Sequence, residues 1–243
     1  MHNLTQRQIE ILKSIIEEYI ETAEPVGSET LEKKYSLSAS PATIRNEMVK
    51  LSEYGYLKKP HLSAGRIPTP DGMKFYVREL VREHALSTVE EVALKEKVWD
   101  YREEARRFLK ATVKSLAEKT NTIAIVTTDT GEVYLAGYAN ILDMPEFYDI
   151  DITKALLSAF DEYNYFQALF DKSEQDEDIH ILIGDELGDR LPGPYGCVFA
   201  TYHTPSNMAG QVGVLGPARL KYTSIIPTVR YFSELIADVA QGW

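Results

Sequence analysis

The sequence has little cysteine and no long apolar run. Because Cys197 is the one cysteine, the chain cannot form an intramolecular disulfide or bind a metal through several thiolates. The longest apolar runs, such as Ile123 to Val126, are far shorter than the roughly 20 residues that span a bilayer. The first residues also lack the basic and apolar segments of a secretory signal. We therefore expect a cytoplasmic protein with no membrane contact.

The net charge of −11 is unfavourable for a nucleic-acid-binding protein, which normally presents a basic surface. The charge is unevenly distributed, however. Residues 33–84 hold 10 basic and 5 acidic side chains, whereas residues 85–243 hold 14 and 25. The excess of cations favours contact with a polyanion, although short basic segments are also common on solvated surfaces.

Capping signals predict three short helices in the N-terminal region. Thr5 and Gln8 have the spacing of a capping box at the start of the first helix. Ser40 followed by Pro41 has the order of an N-cap and a first helical residue, and Gly55 provides a stop.

Two extended runs at residues 56–59 and 66–68 follow, which is typical of a small hairpin. Thr69 and Pro70 then start another helix. The order helix, helix, helix, hairpin, helix predicts a winged helix-turn-helix domain at residues 1–84.

Residues 85–120 contain no proline or glycine, and their apolar residues recur at spacings of three and four among many charges. We interpret them as one long amphipathic linker helix. Its apolar stripe requires a partner, which is either a second copy of the chain or the following domain.

From residue 121 the pattern changes to short extended runs, with helical patterns at residues 152–170 and 224–240. This predicts an α+β domain at residues 121–243, with an antiparallel sheet and helices over one face. The predicted strands are residues 122–127, 133–136, 179–183, 196–202 and 211–215.

The third predicted helix has two different faces. Ile44, Met48 and Leu51 fall within a narrow arc and are expected to face the core. The opposite arc carries small residues with Arg45 and Asn46, which can pair bidentately with guanine and adenine in the major groove. A solvated helix with a good cap would show the same pattern.

The predicted hairpin loop and the strand before it add cations that suit phosphate contacts. Gly65 would allow the loop to approach a surface closely, leaving Arg66 free to reach a phosphate or the minor groove. Such charges are also frequent in ordinary surface loops. The candidate DNA-binding residues are Ser40, Thr43, Arg45, Asn46, Lys50, Lys58, Lys59, His61, Ser63 and Arg66.

Long continuous motifs resemble a known family. They are EPVGS at residues 24–28, SPATIRN at 40–46, LKKPHLSAGRIPT at 57–69, VYLAGYANILDMPEF at 133–147 and GVLGPARLKYTSIIPTVRYFSEL at 213–235. The sequence resembles the HrcA family of heat-inducible transcription repressors of bacteria over most of its length.

The resemblance implies a homodimeric repressor of chaperone operons, bound to a double-stranded inverted-repeat operator called CIRCE and supported by the GroE chaperonin. It also implies a GAF-like C-terminal domain with an inserted dimerisation domain. This chain departs from that pattern, because only a tight turn separates residues 122–127 from the VYLAG motif. Dimerisation is therefore expected to involve the predicted linker helix and the surfaces of the GAF-like domain.

Two other functions are compatible with parts of the sequence. A GAF-type regulator that senses a small molecule is the main alternative, but no ligand residues can be assigned. Asp149 opens a DxDxT pattern found in phosphatases, yet no strand is predicted before it, and Asp151 is interpreted as a helix cap. We expect no enzyme activity, no catalytic or metal site and no cofactor.

Overall fold

The computed structural model describes residues 4–35, 37, 39–61, 64–100, 104–162, 165–170, 178–191, 193–205 and 208–239. The chain divides into two compact units, Met1–Arg82 and Glu83–Trp243. Within the described residues, no helix is both long and apolar enough to cross a membrane.

The first unit begins with the helices α1 (Gln6–Thr22), α2 (Ser28–Lys34) and α3 (Pro41–Glu53). The expected capping box closes the start of α1. The Thr5 hydroxyl accepts a hydrogen bond from the Gln8 N–H, and the Gln8 side chain accepts one from the Thr5 N–H. Local capping chemistry thus places the first helix as the sequence predicted.

A short hairpin follows, in which β1 (Leu57–Lys58) pairs antiparallel with β2 (Ile67–Pro68). The Thr69 hydroxyl caps the next helix, α4 (Pro70–Phe75), which continues into a wider helical turn at Tyr76–Leu80. The predicted order of helices and hairpin is present. The buried apolar core of this unit includes Ile11, Leu12, Ile15, Leu31, Ile44, Leu51 and Met73.

The second unit begins with two helices, α5 (Thr88–Trp99) and α6 (Ala105–Thr120), so the prediction of one continuous linker helix is wrong. Glu104 has an extended backbone, with φ −126° and ψ 99°. The two helices pack against each other. Leu94 and Val98 of α5 and the apolar stripe of α6 are buried in this arrangement, whereas one straight helix would leave more of them in water. Glu90 and Lys97 of α5 also form ion pairs with the last turn of α6.

The sheet of the second unit has the order β4-β3-β7-β6-β5 in the described part of the chain, and every neighbouring pair is antiparallel. The predicted mixture of helices and antiparallel sheet is therefore confirmed. The strands are β3 (Ile123–Thr127), β4 (Val133–Ala136), β5 (His180–Ile183), β6 (Tyr195–His203) and β7 (Ala209–Pro217).

Helices cover both faces of this sheet, not one as predicted. One face packs on α7 (Ile150–Phe160) and α8 (Tyr165–Phe170), which replace the single predicted helix. The alternate residues of the strands point to the opposite face of the sheet and are also buried. The helices α6 and α9 (Tyr222–Val239) contact the strands.

Candidate nucleic-acid interface

Helix α3 starts where its capping residues predict. The Ser40 hydroxyl accepts a hydrogen bond from the Thr43 N–H at 3.3 Å and lies 3.0 Å from the Thr43 hydroxyl. Pro41 occupies the first turn. Ile44 and Leu51 are fully buried, as expected, so the opposite side of α3 faces outward.

Arg45 and Asn46 lie on this outward side, and both are exposed. Among the described residues, neither side chain forms a hydrogen bond or an ion pair. Val49, 41% exposed, is the bulky apolar residue beside them. Both polar side chains are therefore available to pair with another molecule.

Lys50 is exposed but paired. Its Nζ lies 3.3 Å from Glu47 Oε1, while Glu47 Oε2 accepts a hydrogen bond of 2.9 Å from the buried Gln8 side chain. The bond from Gln8, followed by that from Lys50, lowers the pKa of the Glu47 carboxyl. Sequence reasoning placed Gln8 only in the capping box of the first helix and missed its bond to Glu47. The spacing of Glu47 and Lys50 is a helical signal, but nothing local links α3 to Gln8.

The hairpin carries Lys58 at the end of β1 and Lys59 directly after it, both exposed. His61 is exposed as well, and Ser63 lies outside the described residues. A side chain at Gly65 would place its Cβ 2.4 Å from the carbonyl oxygen of Val26, so only glycine fits this approach.

The expectation that the Arg66 side chain is free is wrong, whereas its contact with a phosphate stays a prediction. Its backbone N–H and carbonyl each bond to Val26 at 2.9 Å. Its Nε donates to Ser52 Oγ at 2.9 Å, and Ser52 Oγ donates to the Met48 carbonyl. Arg66 therefore ties the hairpin to α3 and to the segment before α2.

A cleft of about 500 Å³ lies between α3, the hairpin and the start of α2. Arg45, Lys59 and Arg66 line it, with the backbone of Gly65 close by. Sequence reasoning did not predict that residues 27–30 line this cleft. The EPVGS motif at residues 24–28 was the one signal that could have pointed to them. The lining also includes the carboxylate of Glu29, so these three cations leave it net positive, which favours a polyanion.

Comparison with known proteins identifies the family. A family model described as the HrcA protein C terminal domain matches residues 70–226. The chain belongs to the HrcA family. The "Heat-inducible transcription repressor HrcA" of Desulforudis audaxviator is 27% identical, with 98% of each chain covered, and that of Desulforamulus reducens is 28% identical, with 95% of each covered.

The alignment with the Desulforudis audaxviator HrcA runs over 338 positions, although this HrcA-family chain has 243 residues. The relative therefore contains a long segment that this chain lacks. A solved structure titled "Crystal structure of a hypothetical protein at 2.2 A resolution" has a TM-score of 0.75 and 18% identity, with 97% of each chain covered. That likeness shows a shared fold.

Aromatic side chains pack between the sheet and the helices α7 and α8 in the described part of this HrcA-family chain. Phe170 and Phe199 have ring centroids 4.3 Å apart, and Phe147 and Tyr195 are 6.0 Å apart. A second cleft, of about 400 Å³, lies near the end of α6, where Lys119 pairs with Glu90.

The phosphatase alternative does not fit the position of Asp149. Its carboxylate accepts a hydrogen bond from the Asp151 N–H at 2.9 Å and caps α7, so Asp149 rather than Asp151 is the cap. A short 3-10 turn, not a buried strand, precedes it. Burial raises the pKa of the Cys197 thiol to about 12, which keeps it protonated and unreactive.

Proposed function

We propose that this chain is a sequence-specific repressor of heat-shock chaperone operons and binds DNA through a winged helix-turn-helix formed by residues 1–84. The observation that carries the proposal is the outward side of α3. Among the described residues, Arg45 and Asn46 have no partner, while Ile44 and Leu51 anchor the helix in the core. Membership in a family whose members are named heat-inducible transcription repressors supports it.

In this proposal α3 lies in the major groove of the operator. Arg45 forks onto O6 and N7 of a guanine, and Asn46 pairs with N6 and N7 of an adenine. Each such pair contributes roughly 1–3 kcal/mol of discrimination against a wrong base. Because α3 is capped by Ser40 and packed through Ile44 and Leu51, its backbone fixes where both side chains begin.

Phosphate contacts fix the register without reading sequence. We assign them to the start of α3, to Lys50 in its last turn and to the hairpin. Lys50 reaches the backbone only by leaving Glu47, so Glu47 competes with DNA for this cation. The residues assigned to phosphates are Ser40, Thr43, Lys50, Lys58, Lys59, His61, Ser63 and Arg66.

The remaining partners follow from the family. The operator is an inverted repeat of the CIRCE type, which a homodimer reads most simply because both have a two-fold axis. GroE chaperonin supports repression, so unfolded protein that occupies the chaperonin relieves it. Residues 85–120 link the DNA-binding domain to a GAF-like domain at residues 121–243, and the protein works in the cytoplasm without a cofactor.

Replacing Arg45 or Asn46 by alanine tests the proposal. We expect each variant to lose roughly 5- to 150-fold in affinity for a CIRCE-type duplex, as 1–3 kcal/mol implies, with an unchanged melting temperature. Fluorescence anisotropy measures the affinity. The control is Lys154→Ala, which removes an exposed positive charge that lies in the second unit. Unchanged affinity in both α3 variants would contradict the proposed reading helix.

The proposed control by the chaperonin needs a separate experiment. Adding purified GroE chaperonin to a band-shift assay should increase operator occupancy at a fixed concentration of this protein. Occupancy that stays constant over the whole titration would count against chaperonin control, while leaving the assignment of the DNA contacts intact.

A further inference from the structure

The cleft of about 400 Å³ near the end of α6 lies within the second unit. Three parts of the chain form its walls: the turn between α6 and β3, the segment before α7, and the turn from β7 into α9 with the first turns of α9. Small-molecule sites in proteins are concave and have volumes of this order. The cleft is therefore large enough for a small organic ligand.

Two of the motifs that carried the family resemblance meet at this cleft, and DNA binding gives neither of them a role. The motif at residues 133–147 contributes Met144, and the motif at residues 213–235 contributes most of the remaining lining. Arg219 Nε and Nη2 donate to the two carboxylate oxygens of Glu146 at 2.6 and 3.1 Å. The two side chains are only 16% and 9% exposed. This pair joins the two motifs and holds the guanidinium of Arg219 at the cleft.

The charged side chains of the lining favour an anion. Lys119, Arg219 and Lys221 line the cleft, whereas none of the described lining residues is Asp or Glu. The second unit as a whole shows the opposite balance, with more acidic than basic residues. Glu90 and Glu146 pair with Lys119 and Arg219 from outside the lining. These carboxylates position the two cations, and an anion within the cleft accepts charge-assisted hydrogen bonds from the lining.

The two helix termini at the cleft do not decide which charge it accepts. Helix α6 ends at Thr120 and has the partial negative charge of a C-terminus, whereas α9 begins at Tyr222 and has the partial positive charge of an N-terminus. These contributions are opposite in sign and similar in size. The cationic side chains therefore determine the charge of the ligand.

The remaining side chains of the lining are apolar or carry hydroxyl groups. Met144, Leu220 and Ile225 are apolar, and Thr122 and Ser224 carry hydroxyls. A bare inorganic ion would leave the apolar part of the cleft uncovered. The lining therefore suits a molecule that combines an anionic group with an apolar body.

We propose that this cleft binds a small organic anion, either a carboxylate or a phosphate ester, with an apolar body. The anionic group accepts hydrogen bonds from the cations of the lining, and the body packs on its apolar side chains. Lys119 Nζ lies 2.6 Å from Glu90 Oε1. Glu90 of α5 therefore competes with the ligand for this cation. The site lies in the second unit and does not depend on the proposed binding of DNA by the first.

Benzoate and phenyl phosphate are suitable probes, because each joins one anionic group to an apolar ring. Added to the full chain at millimolar concentrations, they should shift the backbone amide NMR signals of Asn121, Thr122 and Ser224. The tighter of the two identifies the preferred anionic group. Benzamide has the shape of benzoate without its charge, and inorganic phosphate has the charge without the ring. Both should bind about 10-fold more weakly or worse.

Two substitutions should change the affinity for the bound probe in opposite directions. Lys119→Ala removes a cation from the lining and should raise the Kd about 10-fold. Glu90→Gln removes the competing carboxylate and should lower the Kd roughly 2- to 5-fold, as expected from the modest strength of an exposed ion pair. Glutamine at this position can keep the capping box with Ser87. The control is Lys114→Ala, which removes an exposed charge from α6 outside the cleft and should keep the wild-type Kd.

Circular dichroism should show the wild-type melting temperature for these variants. Lys119→Met, which keeps the apolar stem of the side chain, replaces Lys119→Ala if the alanine variant loses its fold. The inference would be overturned if no probe bound, if benzamide bound as tightly as benzoate, or if the shifted amides lay elsewhere in the chain. A Kd that neither Lys119→Ala nor Glu90→Gln changes would overturn it as well. None of these measurements uses DNA, so their failure would leave the proposed function untouched.

Discussion

The Nε–H group of Arg66 donates a hydrogen bond of 2.9 Å to the hydroxyl of Ser52. This bond joins the start of the second hairpin strand to the last turn of α3. Ser52 in turn donates to the carbonyl of Met48, within α3. The side chain of Arg66 therefore helps to hold the hairpin against the proposed reading helix. From its charge alone, Arg66 was expected only to contact a phosphate.

Arg66→Lys should separate these two roles. Lysine keeps the positive charge but has no N–H group at the Nε position, so the bond to Ser52 is lost. We expect the free energy of unfolding to fall by about 1–2 kcal/mol, measured by urea denaturation, and Ser52→Ala to cost about 1 kcal/mol. An Arg66→Lys variant as stable as the wild type would show that Arg66 acts only as a cation.

Lys58→Ala and Lys59→Ala should weaken binding to every DNA sequence alike. Each lost phosphate contact should reduce the slope of log affinity against log salt by about 0.9. Anisotropy titrations at several salt concentrations, on operator and on random duplexes, measure this slope. Lys154→Ala removes the same charge from α7 and should keep the wild-type slope. Loss of binding to the operator alone would assign base reading to these lysines.

Gly65→Ala should disrupt the hairpin, because the new Cβ would lie 2.4 Å from the Val26 carbonyl oxygen. The backbone must move, and we expect a loss of more than about 2 kcal/mol in the free energy of unfolding. Gly27→Ala is the matched control, since its Cβ would meet only the Thr30 hydroxyl, at 4.0 Å. It should cost at most about 1 kcal/mol. Equal costs would contradict the close approach at Gly65.

The Glu47 carboxylate should stabilise the first unit in a pH-dependent way. Its folded pKa is lowered, first by the bond from Gln8, from an ordinary value of 4.5. Its contribution is therefore present above about pH 4.5 and is lost as the pH falls through the folded pKa. Glu47→Gln should cost about 1 kcal/mol at pH 7 and progressively less in acid, as urea denaturation at several pH values will measure. A cost that is constant down to pH 3 would contradict this linkage.

Signals that lie close together in the chain predicted much of the first unit. Thr5, Ser40 and Thr69 cap helices where expected, because an N-cap depends on only the next three residues. The inward face of α3 was equally predictable from helical spacing. In the second unit the short extended runs located the strands, with ends displaced by at most two residues.

The sequence by itself determined the caps, the faces of α3, the hairpin and the family. Only the tertiary structure decided that the predicted linker helix is two helices packed on each other, that Arg66 bonds to Ser52, and that Gln8 bonds to Glu47. The bonds of Arg66 and Gln8 join residues that are distant in the chain. The packing of α5 on α6 depends on which surface of the folded chain can cover an apolar stripe. Local sequence patterns do not predict these contacts, because the contacts gain their free energy only when folding brings the interacting residues together.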